Sequence, residues 1–214
     1  LRNQSFRIAA CLRLGLPLCH PHTCVCGKMV DKFRRHGLAC KYVQLWEKGE
    51  ADTINDLIKW AHLTCGWPAM REPSGCNRSD GKKPDGLTLI PWKRGKPLIW
   101  DFICADTTCQ SYVVSTSRKA ATSRENSKRS KYRSLENFYF CPISIETMGP
   151  WGEDGRKLID EIGKKLNQVT GESRSKSFLI QRISIANQRG NAASIIGTIP
   201  QDHNKLDETF YIVQ

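Results

Sequence analysis

The stretch KKPDGLTLIPWKRGKPLIWDF, residues 82–102, holds two apolar runs joined by KRGK at 93–96. Each run carries an aspartate, Asp85 directly after Pro84 and Asp101 after PLIW. Aspartate is depleted in strands, so its presence beside two such runs calls for a reason. The runs read as two strands closed by a glycine-containing hairpin turn. Paired antiparallel about KRGK, they bring residue 85 opposite a position near 102. Asp85 and Asp101 then stand at the same end of the ladder. Two half-buried carboxylates cannot both ionise without a neighbouring cation. A hard divalent ion held by both, a carbonyl and water resolves the conflict. Glu72, at the end of AMRE, offers a third acid. The bland alternative is a pair of solvated turn residues.

Outward from this hairpin the pattern alternates. QSFRIAACLRLG reads as a short amphipathic helix stopped by Gly15 and Pro17. Ile54, Leu57, Ile58 and Ala61 recur at helical spacing, with Asp52 or Thr53 as cap and Gly66 and Pro68 as stop. AMREP suits a short strand and FYFCPISIE another. A basic helix is expected to end near Leu135. Leu158, Ile159, Ile162, Leu166 and Val169 share one helical face, and a further helix is expected over 176–196. Helices interleaved with strands indicate a mixed α/β domain. Four segments follow: an N-terminal helix at 1–18, a Cys/His module at 19–45, the main domain at 46–200 and a loose tail at 201–214.

The Cys/His module is CHPHTCVCGKMVDKFRRHGLAC, residues 19–40. Cys24 and Cys26, followed by His36 and Cys40, can meet a tetrahedral zinc. The first pair is C-x-C, tighter than the usual spacing, so Cys19 or His22 can replace one ligand. Lys28, Lys32, Arg34 and Arg35 would balance the thiolate charge. The other cysteines (Cys11, Cys65, Cys76, Cys104, Cys109 and Cys141) mostly sit in apolar runs and suit the core.

Over 214 residues, Lys+Arg of 33 against Asp+Glu of 21 gives a net charge of +12. The sequence pI is near 9.4 and the mean hydropathy is -0.47. The excess concentrates between Arg118 and Ser134, where seven basic residues meet one acid, Glu125. Such clustering favours a polyanion, with nucleic acid as the first expectation. Lys128, Lys131, Tyr132 and Leu135 fall on one helical face. A lysine on that stripe can reach the carboxylates and stabilise a phosphate, or it can snorkel to water. Arg182 and Arg189, two helical turns apart, can follow a nucleic-acid backbone, as can Arg129. Glu146 either supports the site or caps the following turn, the second reading being preferred, and Trp60, Trp67, Trp92 and Trp100 are read as packing residues. Ten cysteines without a secretory signal favour reduced thiols over a disulfide scaffold, hence a nuclear or cytoplasmic setting. No segment approaches membrane-spanning length, and a start at Leu1 suggests a piece of a longer polypeptide.

KPDG and WDF, followed by KRSKYRSL, resemble the restriction-like endonuclease domain of site-specific non-LTR retrotransposons, a branch of the PD-(D/E)xK nucleases. FRIAACLRLGLPLCHPHTCVCG and RHGLAC resemble the CCHC zinc knuckle that precedes that domain. PISIETMG and QRISIANQRGNAASIIG resemble its C-terminal part, so the likeness spans about Ser5 to Thr198. It implies a restriction-endonuclease-like core, a central mixed sheet flanked by helices, behind a small knuckle. It further implies Mg²⁺ or Mn²⁺ on Asp85 and Asp101, structural zinc on the knuckle, a DNA target or RNA, and an upstream reverse transcriptase. The reaction would be phosphodiester hydrolysis that nicks target DNA for reverse transcription. Here the sequence departs from the family pattern, because the lysine expected two residues after Asp101 is Ile103. In this branch it moves to the next helix, to Lys128 or Lys131. A non-catalytic nucleic-acid-binding module of a decayed element is the competing expectation.

Overall fold

The computed structural model describes residues 3–76, 81–107 and 119–199. Cys109, Arg118 and the tail at 201–214 lie outside the described residues. Its sheet is built on the hairpin quoted above. Strand β4 (Gly86–Lys93) turns into β5 (Lys96–Ala105) through Arg94 and Gly95, with φ of 52° and 72°. Positive φ at both central residues is what a two-residue hairpin turn requires, and glycine meets that demand without strain. Upstream, β3 (Ala69–Arg71) pairs antiparallel with β4. Downstream, β6 (Tyr139–Glu146) pairs parallel with β5, so the sheet is mixed, in the order β3-β4-β5-β6.

The β4–β5 register shifts between Leu87 and Lys93. Thr88 patches the gap: its hydroxyl accepts from Leu98 N (2.9 Å) and donates to Ile90 O (3.0 Å). Beyond the shift the ladder ends at Gly86 opposite Trp100. Trp100 is fully buried, its ring stacked on His62 at 5.1 Å and its indole N–H donated to Asn55 Oδ1 at 3.2 Å. A Cβ at Gly86 would stand 1.9 Å from that ring, so only glycine lets β4 cross the indole.

Short strands β1 (His22–Thr23) and β2 (Met29–Val30) form the knuckle hairpin, after α1 (Asn3–Leu14) and before α2 (Arg35–Ala39). Helix α3 (Gln44–Thr64) begins eight residues ahead of the expected cap at Asp52, because the polar run from Gln44 onward continues the same helix. Helix α4 (Lys119–Lys131) crosses between β5 and β6, and α5 (Glu153–Thr170) and α6 (Ser175–Ile196) follow. Helices α3, α5 and α6 cover the face bearing Leu98, Trp100 and Phe102, together with Ile143 and Ile145. Helix α4 lies on the other face. With β4 and β6 beside it and helices on both sides, β5 is buried from Leu98 to Phe102, Asp101 included.

The knuckle is anchored to α6. Buried Arg34 donates to Ile195 O at 3.0 Å, and Gly37 of α2 packs on Ile195 and Thr198. Ile8, Leu18, Leu38, Ala192 and Ile195 make a second apolar cluster there. No helix among the described residues is long and apolar enough to cross a membrane.

Gly86→Ala should destabilise the fold by about 1–3 kcal/mol through overpacking against Trp100. Urea denaturation followed by tryptophan fluorescence measures this. An unchanged midpoint would mean the indole is free to move aside.

Candidate metal and carboxylate sites

Asp85 precedes β4 and wraps around β5. Its N–H donates to Trp100 O at 3.0 Å, and its Oδ2 accepts from Phe102 N at 2.6 Å. The expected placement of residue 85 beside 102 is therefore met through the side chain. The carbonyl of Asp85 is held from β3, by Glu72 N at 3.0 Å and Arg71 Nε at 3.2 Å. Arg71 is itself fixed to α3 through Asp52 (2.5 Å) and Asp56 (2.7 Å). Asp101 lies within interaction range of Asp85. Burial first, then the neighbouring Asp101 charge, push the Asp85 pKa up to about 7, against a hydrogen bond from Asn55.

Of the two candidate lysines, the one at this pair is Lys128, whose Nζ donates to Asp101 Oδ2 at 2.7 Å. Lys131 is exposed. The rotation of α4 that decides between them is set by neighbours on the same face. Tyr132 stacks on Phe140 at 4.3 Å and donates its hydroxyl to Lys83 O at 3.2 Å, while Ala121 N reaches Glu146 Oε1 at 3.3 Å. Glu125 accepts from Asp154 N (3.1 Å) and Gly155 N (3.0 Å), tying α4 to the first turn of α5. The carboxyl of Glu146 therefore caps α4, four residues along the sheet from the position paired with Asp101. It does not join the carboxylate pair.

Glu72 has φ of 45° and an exposed side chain, so it enters this corner by its backbone. Arg129 pairs with Asp154. Arg182 and Arg189 are exposed on α6, across the sheet from Lys128, with Arg182 lying 5.4 Å over the ring of Trp60. Trp60 is itself 49% exposed, unlike Trp67, Trp92 and Trp100, so its expected role in packing is corrected. Asn55 escaped the sequence reading. It is 2% exposed, accepts from Trp100 and donates toward Asp85, linking the carboxylate corner to the core. Its signal was a polar residue three positions before Ile58, on the buried side of α3.

The second site is the knuckle. Cys24, Cys26, His36 and Cys40 present donor atoms all within 4.8 Å of one another. The Cys24 and Cys40 sulfurs are 3.8 Å apart, and Cys26 Sγ lies 3.1 Å from His36 Nε2. A tetrahedron with bonds of about 2.3 Å has edges of about 3.8 Å, so the sulfur pair already has the spacing of a zinc edge. Gly27 N closes the tight turn onto Cys24 O at 2.8 Å, and one turn of α2 sets His36 and Cys40 side by side. The C-x-C spacing is thus compatible with a four-ligand cluster. Cys19 and His22 serve elsewhere: His22 Nε2 meets Thr198 Oγ1 at 3.0 Å, and Cys19 sits beside Arg34. Burial lifts the Cys24 thiol to about 11, whereas the Lys28 backbone N–H lowers Cys26. Metal binding must therefore displace the Cys24 proton. The cluster can bind zinc. Among the described residues every cysteine is a free thiol.

No protein-family model matches this sequence, and a search of curated proteins finds no match.

Two measurements test these sites. The purified chain should carry about one zinc by elemental analysis. Cys24→Ser and Cys40→Ser should lose it, while Cys19→Ser should keep it; zinc retained in both knuckle variants removes the ligand set. At the carboxylates the raised pKa fixes a sign. An unfolded aspartate titrates near 3.9, so the stabilising contribution is complete below about pH 4 and is lost as pH rises through about 7. In magnesium-free buffer at pH 7.5, Asp85→Asn should therefore melt at least about 3 °C above the wild type, and the gap should close towards pH 4. Adding Mg²⁺ at pH 7.5 should raise the wild-type melt alone.

Proposed function

We propose that this chain is a metal-dependent DNA endonuclease domain of the restriction-endonuclease-like class, carried by a retroelement polyprotein and preceded by a zinc knuckle. The observation that carries the reading is one contact: Lys128, from a helix, reaches Asp101 at 2.7 Å beside a second, half-buried carboxylate, Asp85. Two carboxylates and a lysine in one corner can support metal-assisted phosphodiester hydrolysis.

The residues fit a divalent cation, because Asp85 and Asp101, once both are ionised, carry two charges and Lys128 compensates only one. Mg²⁺ or Mn²⁺ held by those carboxylates would supply Lewis acidity toward a phosphate oxygen and ease proton loss from water. The protein's own parts do the rest. Phe102 N holds the Asp85 carboxylate, and Arg71 Nε and Glu72 N hold its carbonyl, so the residue is fixed in place before substrate arrives. Lys128, 2.7 Å from Asp101, would donate to a non-bridging oxygen as negative charge grows there. On this reading the catalytic lysine is Lys128, on α4, while Lys131 faces solvent. The nicked strand would provide the 3′ end from which an upstream reverse transcriptase primes.

A binding module without chemistry remains a distinct second reading. It is favoured by the same contact taken differently, as a buried ion pair that locks α4 on the sheet.

A supercoiled-plasmid nicking assay with Mg²⁺ separates the two. Asp85→Ala and Asp101→Ala should abolish nicking. Lys128→Ala should lower the rate by about 10²–10³-fold, as loss of a transition-state donor does, and Lys131→Ala should change it little. A natively folded wild type that nicks nothing excludes the endonuclease.

A further inference from the structure

Beside the carboxylates, on the same face of the sheet, a groove of about 450 Å³ runs between the hairpin turn and the C-terminal half of α4. It is lined by Lys93, Arg94, Lys96, Arg129 and Arg133, against one acid, Glu136. Tyr132 and Phe140 form part of its floor. Phe140 pairs with Ile99, two residues before Asp101, so floor and carboxylate share one face. Lys96 and Asp101 stand five residues apart on β5, roughly 16 Å along the strand. On the other wall, Arg129 follows Lys128 directly.

We infer that this groove receives the phosphate backbone of a nucleic-acid strand whose neighbouring phosphodiester reaches Asp101 and Lys128. Three observations carry it. First, the charge excess is local, five cations to one acid around a single concavity. Second, the cations differ in how firmly they are engaged. Lys93 is paired with Glu161 at 2.6 Å, Arg129 with Asp154, and Lys96 donates to the backbone of Glu136. Arg94 and Arg133 are exposed, and among the described residues no carboxylate pairs with either. One comes from the hairpin turn and the other from the segment after α4, so two separate elements bring an unpaired guanidinium to the same groove. Third, the turn offers Arg94 from a left-handed backbone position, φ 52°, where asparagine or glycine is the unstrained choice. The direction of the strand rests on the endonuclease reading. The binding itself does not.

The test is fluorescence anisotropy of a labelled 20-nucleotide single strand and its duplex, titrated with the full chain in magnesium-free buffer containing zinc, over a range of salt. The groove variant is Arg94→Asn with Arg133→Ala, because asparagine tolerates the turn geometry. A charge-matched control is Arg156→Ala with Lys164→Ala, both exposed on α5. The groove variant should bind at least about tenfold more weakly. Its salt slope should fall by about 1.4 on the single strand or about 1.8 on the duplex, as expected for two lost phosphate contacts. The control should match the wild type. Equal losses in both double variants, or no loss on either nucleic acid, overturns the proposal. A chain that binds through the groove but nicks nothing removes the endonuclease reading alone, and one that nicks with an unaffected groove variant removes this inference alone.

Discussion

Two carboxylates placed side by side in a corner largely closed to water set the terms for the structure around them. At about 4 Å and an effective dielectric of 20, like charges repel by about 4 kcal/mol, before desolvation is counted. Such a cost is a large fraction of a domain's net stability. The fold answers it by raising the pKa of Asp85, which can then stay protonated near neutrality, and by delivering the Lys128 ammonium to Asp101. Both answers depend on placement. The first needs the hairpin register that ends at Gly86 and Trp100. The second needs α4 to lie with one particular face on the sheet.

Helix α4 has no apolar stripe with which to find that face. Its sequence is dominated by Ser, Arg and Lys, and the buried residues along it are Ala120, Ala121 and Glu125, with Tyr132 just beyond its end. Polar contacts with defined partners therefore replace bulk burial: Ala121 to Glu146, Glu125 to the start of α5, Lys128 to Asp101, Tyr132 to Lys83. Such contacts are directional, so they fix rotation more tightly than they add stability. Helix α6 shows the same economy on the opposite face. Asn187 donates to Glu146 O, and Gln188 and Asn191 both donate to Thr147 O, pinning the end of β6. The knuckle then rides on the far end of α6 through Arg34 and Gly37. Helix α6 thus joins the knuckle to the end of β6.

The parts legible in the sequence are those governed by period and spacing. The hairpin showed itself in two apolar runs about KRGK, α5 in its strong apolar face, and the Cys/His cluster in its ligand spacing. What stayed hidden depends on tertiary contacts. Lys128 and Lys131 lie only about 60° apart on a helical wheel, so either fits the same stripe. The choice follows from Tyr132 stacking on Phe140, a residue eight positions further along the chain. Asn55 was hidden because its one signal, the spacing to Ile58, is weak for a single asparagine and does not name the partners it meets, Trp100 and Asp85. The early start of α3 was missed because helix propensity in 44–51 has no strong cap to mark it; Val43 stands at the N-cap position without a side-chain bond. Exposed Trp60 defeated the expectation that it packs like Trp67, Trp92 and Trp100.

The charges in the corner also limit what it can accept. Asp85, Asp101 and Lys128, all ionised, sum to one negative charge, which repels a phosphodiester. With Asp85 protonated the sum is zero, and there is no net attraction. A divalent cation on the ionised carboxylates makes the sum one positive charge, which a phosphodiester returns to neutrality. A buried site gains most when its charges close to zero, because the low dielectric magnifies any remainder. The lysine is essential to that balance. Without it, two carboxylates and one divalent ion would already be neutral, and the incoming phosphate would bring an uncompensated charge into the corner. On the endonuclease reading proposed above, the contact between Lys128 and Asp101 would be the state of the site before substrate and metal arrive, with the ammonium held where a phosphate would need it.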